Sequence, residues 1–218
     1  MKTTIIIPTL NEVESIQGVL NEIPEGVADE ILIIDGHSND GTVELVRKLG
    51  HRAVFQEKKG FGSAIAEGIE HSHGDVVVVL NADGSQNAKH IPLLLDKINE
   101  GCDLVLASRY LPGSGSEDDT LLHFVGNKIF TWLCNALYGV GISDSLYFFL
   151  AVRKQAFKTM KPLKSPNAGY CIELPIQIHK AGLKIGEIPS FERKRTGGKA
   201  KVNAFSAGFK ILLTLLKQ

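Results

Sequence analysis

The chain alternates between short apolar runs and longer amphipathic stretches. Apolar runs at residues 4–8, 30–35, 76–80 and 103–107 contain β-branched residues without polar alternation, which is typical of strands buried on both faces of a parallel sheet. Residues 52–56 form a weaker strand pattern. Apolar residues recur at helical spacing in 16–23, 43–49, 64–72 and 91–98. This order predicts an α/β fold with a mostly parallel sheet flanked by helices.

The pattern changes after residue 110. Residues 111–119 are rich in glycine, serine and acidic side chains, so we expect a mobile loop that has nothing to pack and that closes over a ligand. Helices are predicted at 121–137 and 168–181, strands at 147–152 and 183–188, and a final apolar helix at 205–216. Residues 191–201 are basic and glycine-rich. No linker divides the chain, which predicts a single domain over residues 1–218.

Composition narrows the classes of protein. Lys+Arg and Asp+Glu number 24 each among 218 residues, so no overall basic field attracts nucleic acid. Cys102, Cys134 and Cys171 fit neither a disulfide framework nor a zinc site, and we expect reduced, buried thiols in a cytoplasmic protein. We also expect no signal peptide and no transmembrane helix, because the apolar runs are too short.

Polar residues follow the predicted strands at the edge where α/β sheets bind ligands. Asp35 ends the second apolar run, and Asn81, Asp83 and Gly84 follow the fourth. A carboxylate at that edge can hold a divalent cation on a diphosphate, although the same residue types also form ordinary turns. Neither a glycine-rich dinucleotide fingerprint after the first strand nor a P-loop occurs. This argues against a dinucleotide oxidoreductase and a P-loop enzyme.

Several motifs together resemble those of family 2 glycosyltransferases in order and spacing. They are residues 7–12 (IPTLNE), 34–42 (IDGHSNDGT), 59–62 (KGFG), 81–85 (NADGS) and 108–110 (SRY). Downstream, Asp144 before an aromatic strand, residues 172–174, Glu192 with Arg193, and residues 198–201 resemble the polyprenyl-phosphate (dolichyl-phosphate) mannose/glucose synthase branch.

The resemblance implies a fold, a donor and a cofactor. The fold is GT-A (Rossmann-like), with residues 1–110 as the nucleotide-sugar-binding half and residues 111–218 as the acceptor-binding half. The donor is a nucleotide-diphosphate sugar, a UDP- or GDP-hexose, used with Mg²⁺ or Mn²⁺ and with inversion at the anomeric carbon.

The resemblance also assigns residue roles by position. Asp83, with Asn81 as an accessory, would bind the metal, while Arg109 and residues 193–201 would face phosphates, whose oxygen pairs suit guanidinium groups. The catalytic residues implied are Asp83, Arg109, Arg193 and Glu173, the last as the partner of a cation or as an acceptor-site residue. The residues implied in donor binding are Pro8, Asn11, Glu12, Asp35, Lys59, Gly60, Asn81 and Asp83. The plainer alternatives are a first-turn charge for Glu12, a turn residue for Asp35 and a solvated loop for residues 193–201.

The chain departs from the family pattern at three places. Asn81 replaces the first carboxylate of the DxD motif, so the metal site lacks one negative charge. Residues 36–37, Gly-His, replace the usual second acid and glycine in base recognition. Residues 123–124 stand where relatives that use lipid phosphates often carry arginine, and residues 147–148 replace a Ser-Gly pair.

These observations favour inverting transfer of a hexose to a polyprenyl phosphate at the cytosolic membrane face. The acceptor phosphate is ionised near neutral pH and requires no general base. One alternative is transfer to a sugar or protein hydroxyl, which needs a base such as Asp144 or Glu173. Another is a nucleotide-sugar-binding protein with weak or no turnover because of Asn81. The final helix could meet a membrane, another subunit of an oligomer, or the core.

Overall fold

The computed structural model describes residues 1–197 and 204–218. The strands are β1 (Thr3–Thr9), β2 (Glu30–Asp35), β3 (Arg52–Phe55), β4 (Val76–Val79), β5 (Leu104–Ser108), β6 (Gly115–Ser116), β7 (Leu150–Arg153), β8 (Ile185–Pro189) and β9 (Phe191–Glu192). The helices are α1 (Ile16–Glu22), α2 (Thr42–Lys48), α3 (Phe61–His71), α4 (Ile91–Asn99), α5 (Leu121–Tyr138), α6 (Lys154–Thr159), α7 (Tyr170–Lys180) and α8 (Ala204–Leu215). A 3-10 turn at Ala88–His90 leads into α4.

Seven strands form one sheet in the order β3-β2-β1-β4-β7-β5-β8. All neighbouring pairs are parallel except those of β7, which runs antiparallel to both β4 and β5. The predicted α/β class with a mostly parallel sheet is therefore confirmed. The direction of β7 was not predicted, because a run of buried apolar residues reads the same in either direction.

The apolar core lies on both faces of this sheet. Ile6 of β1 packs in the cluster that includes Ile65 of α3, whereas Ile5 belongs to the cluster that includes Ile16 of α1. All four side chains are fully buried. Successive strand residues point to opposite faces, so a sheet covered on both sides needs apolar residues at every position. This explains the continuous apolar runs in the sequence.

The segment at 111–119 differs from its prediction. Gly115–Ser116 form β6, which pairs in parallel with β9 as a second, two-stranded sheet. Asp119 accepts a hydrogen bond from the Tyr110 hydroxyl at 2.9 Å. The expectation that this segment has nothing to pack is wrong, because its partner strand lies about 75 residues later in the chain, where local composition gives no sign of it.

Two further elements differ from the prediction. The strand predicted at 147–152 begins at Leu150, because the Phe149 N–H bonds to the Tyr147 carbonyl at 2.9 Å in a tight turn. The short helix α6 follows β7 directly and was not predicted. Among the helices in the described ranges, none is long and apolar enough to cross a membrane.

Candidate active site

A cavity of about 1740 Å³ opens over the carboxyl ends of β1, β2 and β4. Its polar end is formed by the loops after these strands and by the segment after β9. The side chains and backbone lining that end include Pro8, Glu12, Gly36, His37, Gln56, Lys59, Gly60, Asn81, Asp83 and Arg195. Its apolar end is formed by α5, α8 and the chain before β7. The residues lining it include Leu122, Phe130, Phe148, Phe209 and Leu212.

Asp83 stands at the centre of the cavity, in the loop after β4. Its Oδ1 accepts hydrogen bonds from the backbone N–H and the hydroxyl of Ser85, at 3.0 and 2.8 Å. Its Oδ2 lies 3.9 Å from the Arg195 guanidinium, which is also 3.6 Å from Asp118. One carboxylate oxygen of Asp83 therefore fixes the loop, and the other faces the Arg195 guanidinium at the cavity wall.

Asn81 and Asp83 form the candidate metal site. They present one amide oxygen and one carboxylate, and oxygen donors suit Mg²⁺ and Mn²⁺. Mg²⁺ is usually bound by one or two carboxylates together with substrate phosphates and water. Over residues 1–197 and 204–218, no three His, Cys, Asp or Glu side chains cluster as metal ligands. The donor set thus fits a cation that arrives with a nucleotide diphosphate rather than one held by the protein alone.

Arg193 does not line the cavity. Its guanidinium forms a two-point ion pair with Glu22, at 2.8 and 2.7 Å, and also donates to the carbonyls of Gly84 and Gln86 at 3.1 and 2.8 Å. Hydrogen bonding to Arg193 lowers the pKa of Glu22. The terminal nitrogens of Arg193 therefore point at Glu22 and at the loop that carries Asp83. They do not face the cavity, where a contact with phosphate was expected.

Arg109 is likewise engaged within the protein. It is buried at the end of β5, and it contacts Asp144 at 2.8 and 3.1 Å, Glu192 at 3.1 Å and Asp119 at 3.5 Å. Burial by itself would lower the pKa of Arg109, but the hydrogen bonds that Arg109 donates to Asp144 raise this pKa above its usual value. Arg109 ties together four segments and does not line the cavity, contrary to the expectation that it faces phosphate.

Glu173 of α7 is buried away from the cavity. Its two oxygens accept hydrogen bonds from the backbone N–H groups of Lys164 and Ser165, at 2.9 and 2.8 Å. Neither of the expected roles, partner of a cation or contact for the acceptor, fits this position. Glu173 fixes a loop whose next carbonyl, that of Pro166, accepts from the backbone N–H of Gly62 at 3.1 Å.

Asp35 and Asn11 do not line the cavity but support its wall. Asp35 is fully buried and accepts hydrogen bonds from the Thr9 hydroxyl at 2.8 Å, the Ser38 N–H at 2.7 Å and the Ser38 hydroxyl at 2.6 Å. Asn11, with a left-handed φ of 54°, accepts from the Asn39 N–H at 2.9 Å. Both residues tie the loop after β1 to the loop after β2, so they shape the wall that Pro8 and Gly36 form.

Sequence reasoning missed the individual role of Arg195 and the apolar wall. Arg195 lies in the segment recognised as basic, but nothing in its local pattern distinguishes it from Arg193, two residues earlier, which faces the other way. Phe130 and Phe209 were assigned to helices, but their convergence on one cavity depends on how α5 and α8 pack.

The sheet order and the polar cavity over β4 define the class of protein, that of the GT-A glycosyltransferases. Glucosyl-3-phosphoglycerate synthase from Mycobacterium tuberculosis, crystallised with Mn²⁺, UDP and glucosyl-3-phosphoglycerate, matches with a TM-score of 0.80 and 20% identity, over 99% of this chain and 79% of that one. At this identity, the likeness establishes the fold. The GT-A prediction is confirmed.

Sequence comparison gives the family. The model of glycosyl transferase family 2 matches residues 4–161. The dolichyl-phosphate hexose transferase of Haloferax volcanii is 31% identical over 216 residues, covering 98% of this chain and 92% of that protein. The polyprenol monophosphomannose synthase of Mycolicibacterium smegmatis is 29% identical over 226 positions, covering 96% and 85%. The chain belongs to glycosyl transferase family 2 and is a glycosyltransferase.

Proposed function

We propose that the chain transfers a hexose from a nucleotide-diphosphate sugar to a polyprenyl phosphate, with inversion at the anomeric carbon. The observation that carries this proposal is the continuity of the cavity from the polar wall at Asp83 to the apolar wall at Phe130 and Phe209. A nucleotide sugar fits the first wall, and an isoprenoid chain fits the second. The names of the Haloferax and Mycolicibacterium relatives support a polyprenyl phosphate as the acceptor of the sugar.

Asp83 and Asn81 would hold Mg²⁺ or Mn²⁺ against the donor diphosphate. When bound, the cation neutralises the charge that develops on the departing diphosphate. Arg195 would turn from Asp83 onto the same phosphates, since its guanidinium is already within 3.9 Å of Asp83 and one-third exposed. Arg193 contributes indirectly, because it fixes the backbone of Gly84 next to Asp83.

The acceptor end of the cavity reaches an exposed apolar surface, here called the membrane face. Gly208 of α8 packs opposite Phe130 of α5, so the two helices lie side by side. The exposed apolar side chains that form the membrane face are Leu121, Val125, Ile129 and Trp132 of α5, Phe209, Leu212 and Leu213 of α8, and Leu216, which follows α8. Patches of this kind mark sites of protein or membrane contact. We propose that the membrane face rests on the cytosolic surface of a bilayer, where the isoprenoid chain enters between α5 and α8.

The positions of Asp144 and Glu173 argue against both of the bases predicted for transfer to a hydroxyl. That reaction needs a general base in the cavity. Asp144 is 1% exposed and bonded to Arg109, and Glu173 is 2% exposed and bonded to backbone N–H groups. Neither lines the cavity. A phosphate acceptor is already ionised near neutral pH and attacks without a base, so it depends on neither residue.

A transfer assay with paired acceptors tests the proposal. The protein is incubated with Mn²⁺ and a panel of nucleotide hexoses, together with either a short polyprenyl phosphate or the polyprenol of the same length. We expect product from the phosphate alone. Transfer to polyprenol or to a free sugar would favour the hydroxyl alternative, and tight donor binding without transfer to any acceptor would favour a nucleotide-sugar-binding protein.

A further inference from the structure

The sheet order determines where the nucleoside of the donor lies. A donor held by its diphosphate at Asp83, after β4, extends to one side of that strand. On one side lie β7 and the apolar wall, because residues 146–148 of that wall lead directly into β7. On the other side lie β1, β2 and β3. A nucleoside bound on this side would lie over the ends of these three strands, where His37 and Gln56 line the cavity.

Three positions beside His37, namely Asp35, Gly36 and Gln56, offer no free side chain to a base. Asp35 is fully buried with three hydrogen bonds inside the protein. Gly36 has no side chain, and a Cβ added there would lie 3.3 Å from the Thr9 carbonyl oxygen. Gln56 is 8% exposed, and its amide nitrogen donates to the carbonyls of Lys58 and Gly60. The neighbouring His37 lines the cavity with an exposed imidazole.

The His37 ring is held in a defined position and tautomer. Its Nε2 lies 2.9 Å from the Gln56 carbonyl oxygen, and the ring lies parallel to Phe55, with centroids 5.5 Å apart and planes within 4°. A carbonyl oxygen only accepts hydrogen bonds, so Nε2 carries the proton. In the neutral ring, Nδ1 is then an acceptor. The backbone supports this placement with a left-handed φ of 67°.

We infer that His37 reads the base of the donor by accepting, through Nδ1, the ring N–H of uracil or guanine. Cytosine and adenine present a lone pair at the equivalent ring nitrogen, which would face the lone pair of Nδ1. Two facing acceptors cannot form this hydrogen bond, so CDP and ADP would bind more weakly than UDP or GDP. This inference rests on the proposed function, since it requires a nucleotide donor.

Calorimetric titration with UDP, GDP, CDP and ADP, in the presence of Mn²⁺ at pH 8, tests the inference. We expect UDP or GDP to bind at least about tenfold more tightly than CDP and ADP, the size of discrimination that one good contact provides. His37→Gly keeps the left-handed backbone without strain. This variant should reduce the preference to within about threefold, while the affinity for inorganic pyrophosphate stays unchanged. Asn39→Gly, an exposed change in the same loop, should keep the full preference.

The outcomes distinguish a failure of the role of His37 from a failure of the proposed nucleotide donor. A preference that persists in His37→Gly, or a wild-type preference for CDP or ADP, overturns the role of His37 and leaves the proposed glycosyl transfer intact. A wild-type protein that binds none of the four nucleotides overturns the proposed donor, and the role of His37 fails with it.

Discussion

At the scale of single residues, donor binding depends most directly on Asp83. Asp83→Ala should abolish metal-dependent donor binding, a loss at least as large as the about 10- to 100-fold cost of removing an outer-shell partner of a metal ligand. Asn81→Asp should preserve or strengthen binding, because it adds a negative charge beside the cation. Calorimetry with the donor, in the presence and absence of Mn²⁺, measures both. Unchanged affinity in Asp83→Ala would remove this residue from the site.

For Asp144 we expect a large effect on stability, whereas Asp83 is expected to affect donor binding. Its pair with Arg109 is buried, and breaking such a pair costs about 3–5 kcal/mol because a charge is left uncompensated. Asp144→Asn should lower the free energy of unfolding in urea by that order. Glu100→Gln, which breaks the exposed pair with Lys97, is the control and should leave the free energy of unfolding nearly unchanged. A stable Asp144→Asn protein that has lost only transfer would instead indicate a catalytic base.

The sequence motifs were a better guide to the residues that line the cavity than to the residues that form ion pairs. Pro8, Glu12, Lys59, Asn81 and Asp83 all line it, because their positions follow from the strand that each one ends or the helix that it precedes. The charged residues assigned to phosphate or acceptor behave differently. Their partners lie far away in sequence, by 35 residues in the pair that Arg109 forms and 171 in the pair that Arg193 forms, and no local pattern contains that information.

At the scale of elements, the glycines that begin α3 allow the helix to approach a loop closely. A Cβ at Gly62 would lie 2.6 Å from the Ser165 carbonyl oxygen, so the loop that Glu173 fixes would have to move. Gly62→Ala should therefore destabilise the protein by about 1–3 kcal/mol, as overpacking does. Gly18→Ala in α1 meets nothing within 4 Å and should stabilise it by about 0.5–1 kcal/mol. Urea unfolding compares the two, and equal effects would show that the close approach is unimportant.

The pair between Glu22 and Arg193 connects α1 to the segment after β9, and its contribution depends on pH. The pKa of Glu22 is lowered from 4.5 by its bonds with Arg193, so the stabilisation is complete above that value. It is lost as the pH falls through the lower pKa of the folded state. Glu22→Gln should therefore be less stable than wild type at pH 7, with the difference shrinking below about pH 4.5. A difference that does not change with pH would show that the pair contributes no charge-dependent stability.

Elements whose partners are close in sequence were predicted well, and those with distant partners were not. The units from β1 to β5 follow the expected order because β1, β2, β4 and β5 each carry a buried apolar run, and only β3 has a weaker, half-exposed pattern. The short strand β6 has no apolar pattern and exists through its pairing with β9. The position of β7 between β4 and β5 is likewise a property of the assembled sheet.

At the scale of the whole molecule, the membrane face predicts vesicle binding. Wild-type protein should float with anionic liposomes at low salt, because each large apolar side chain buried contributes about 1.5–3 kcal/mol. Trp132→Glu in α5 and Leu216→Glu just after α8 change exposed residues outside the cavity lining, and each should reduce flotation. Leu93→Glu, on the exposed side of α4, should not. Wild-type protein that stays in the soluble fraction would contradict this face. Concentration-dependent dimers would then indicate another subunit as its partner.

The sequence predicted only half of that surface. The apolar periodicity of residues 205–216 indicated α8, whereas α5 was expected as a helix with no stated exposed face.

Burial of the cysteines was expected, and all three are buried and unpaired in the structure. Burial raises the pKa of the Cys134 and Cys171 thiols to about 12. Composition predicts the buried state of such residues, whereas the exposed side of a helix depends on which neighbours it finds.

The insertion of β7 between β4 and β5 affects how the chain can fold during synthesis. When a ribosome has translated about 110 residues, β1 to β4 can already assemble, but both neighbours of β5 in the sheet, β7 and β8, are still to be made. All five residues of β5 are buried in the finished protein, so the nascent chain carries an apolar strand without a partner until residues 150–153 emerge. A chain truncated at residue 110 keeps this unpaired strand permanently, and such strands promote aggregation.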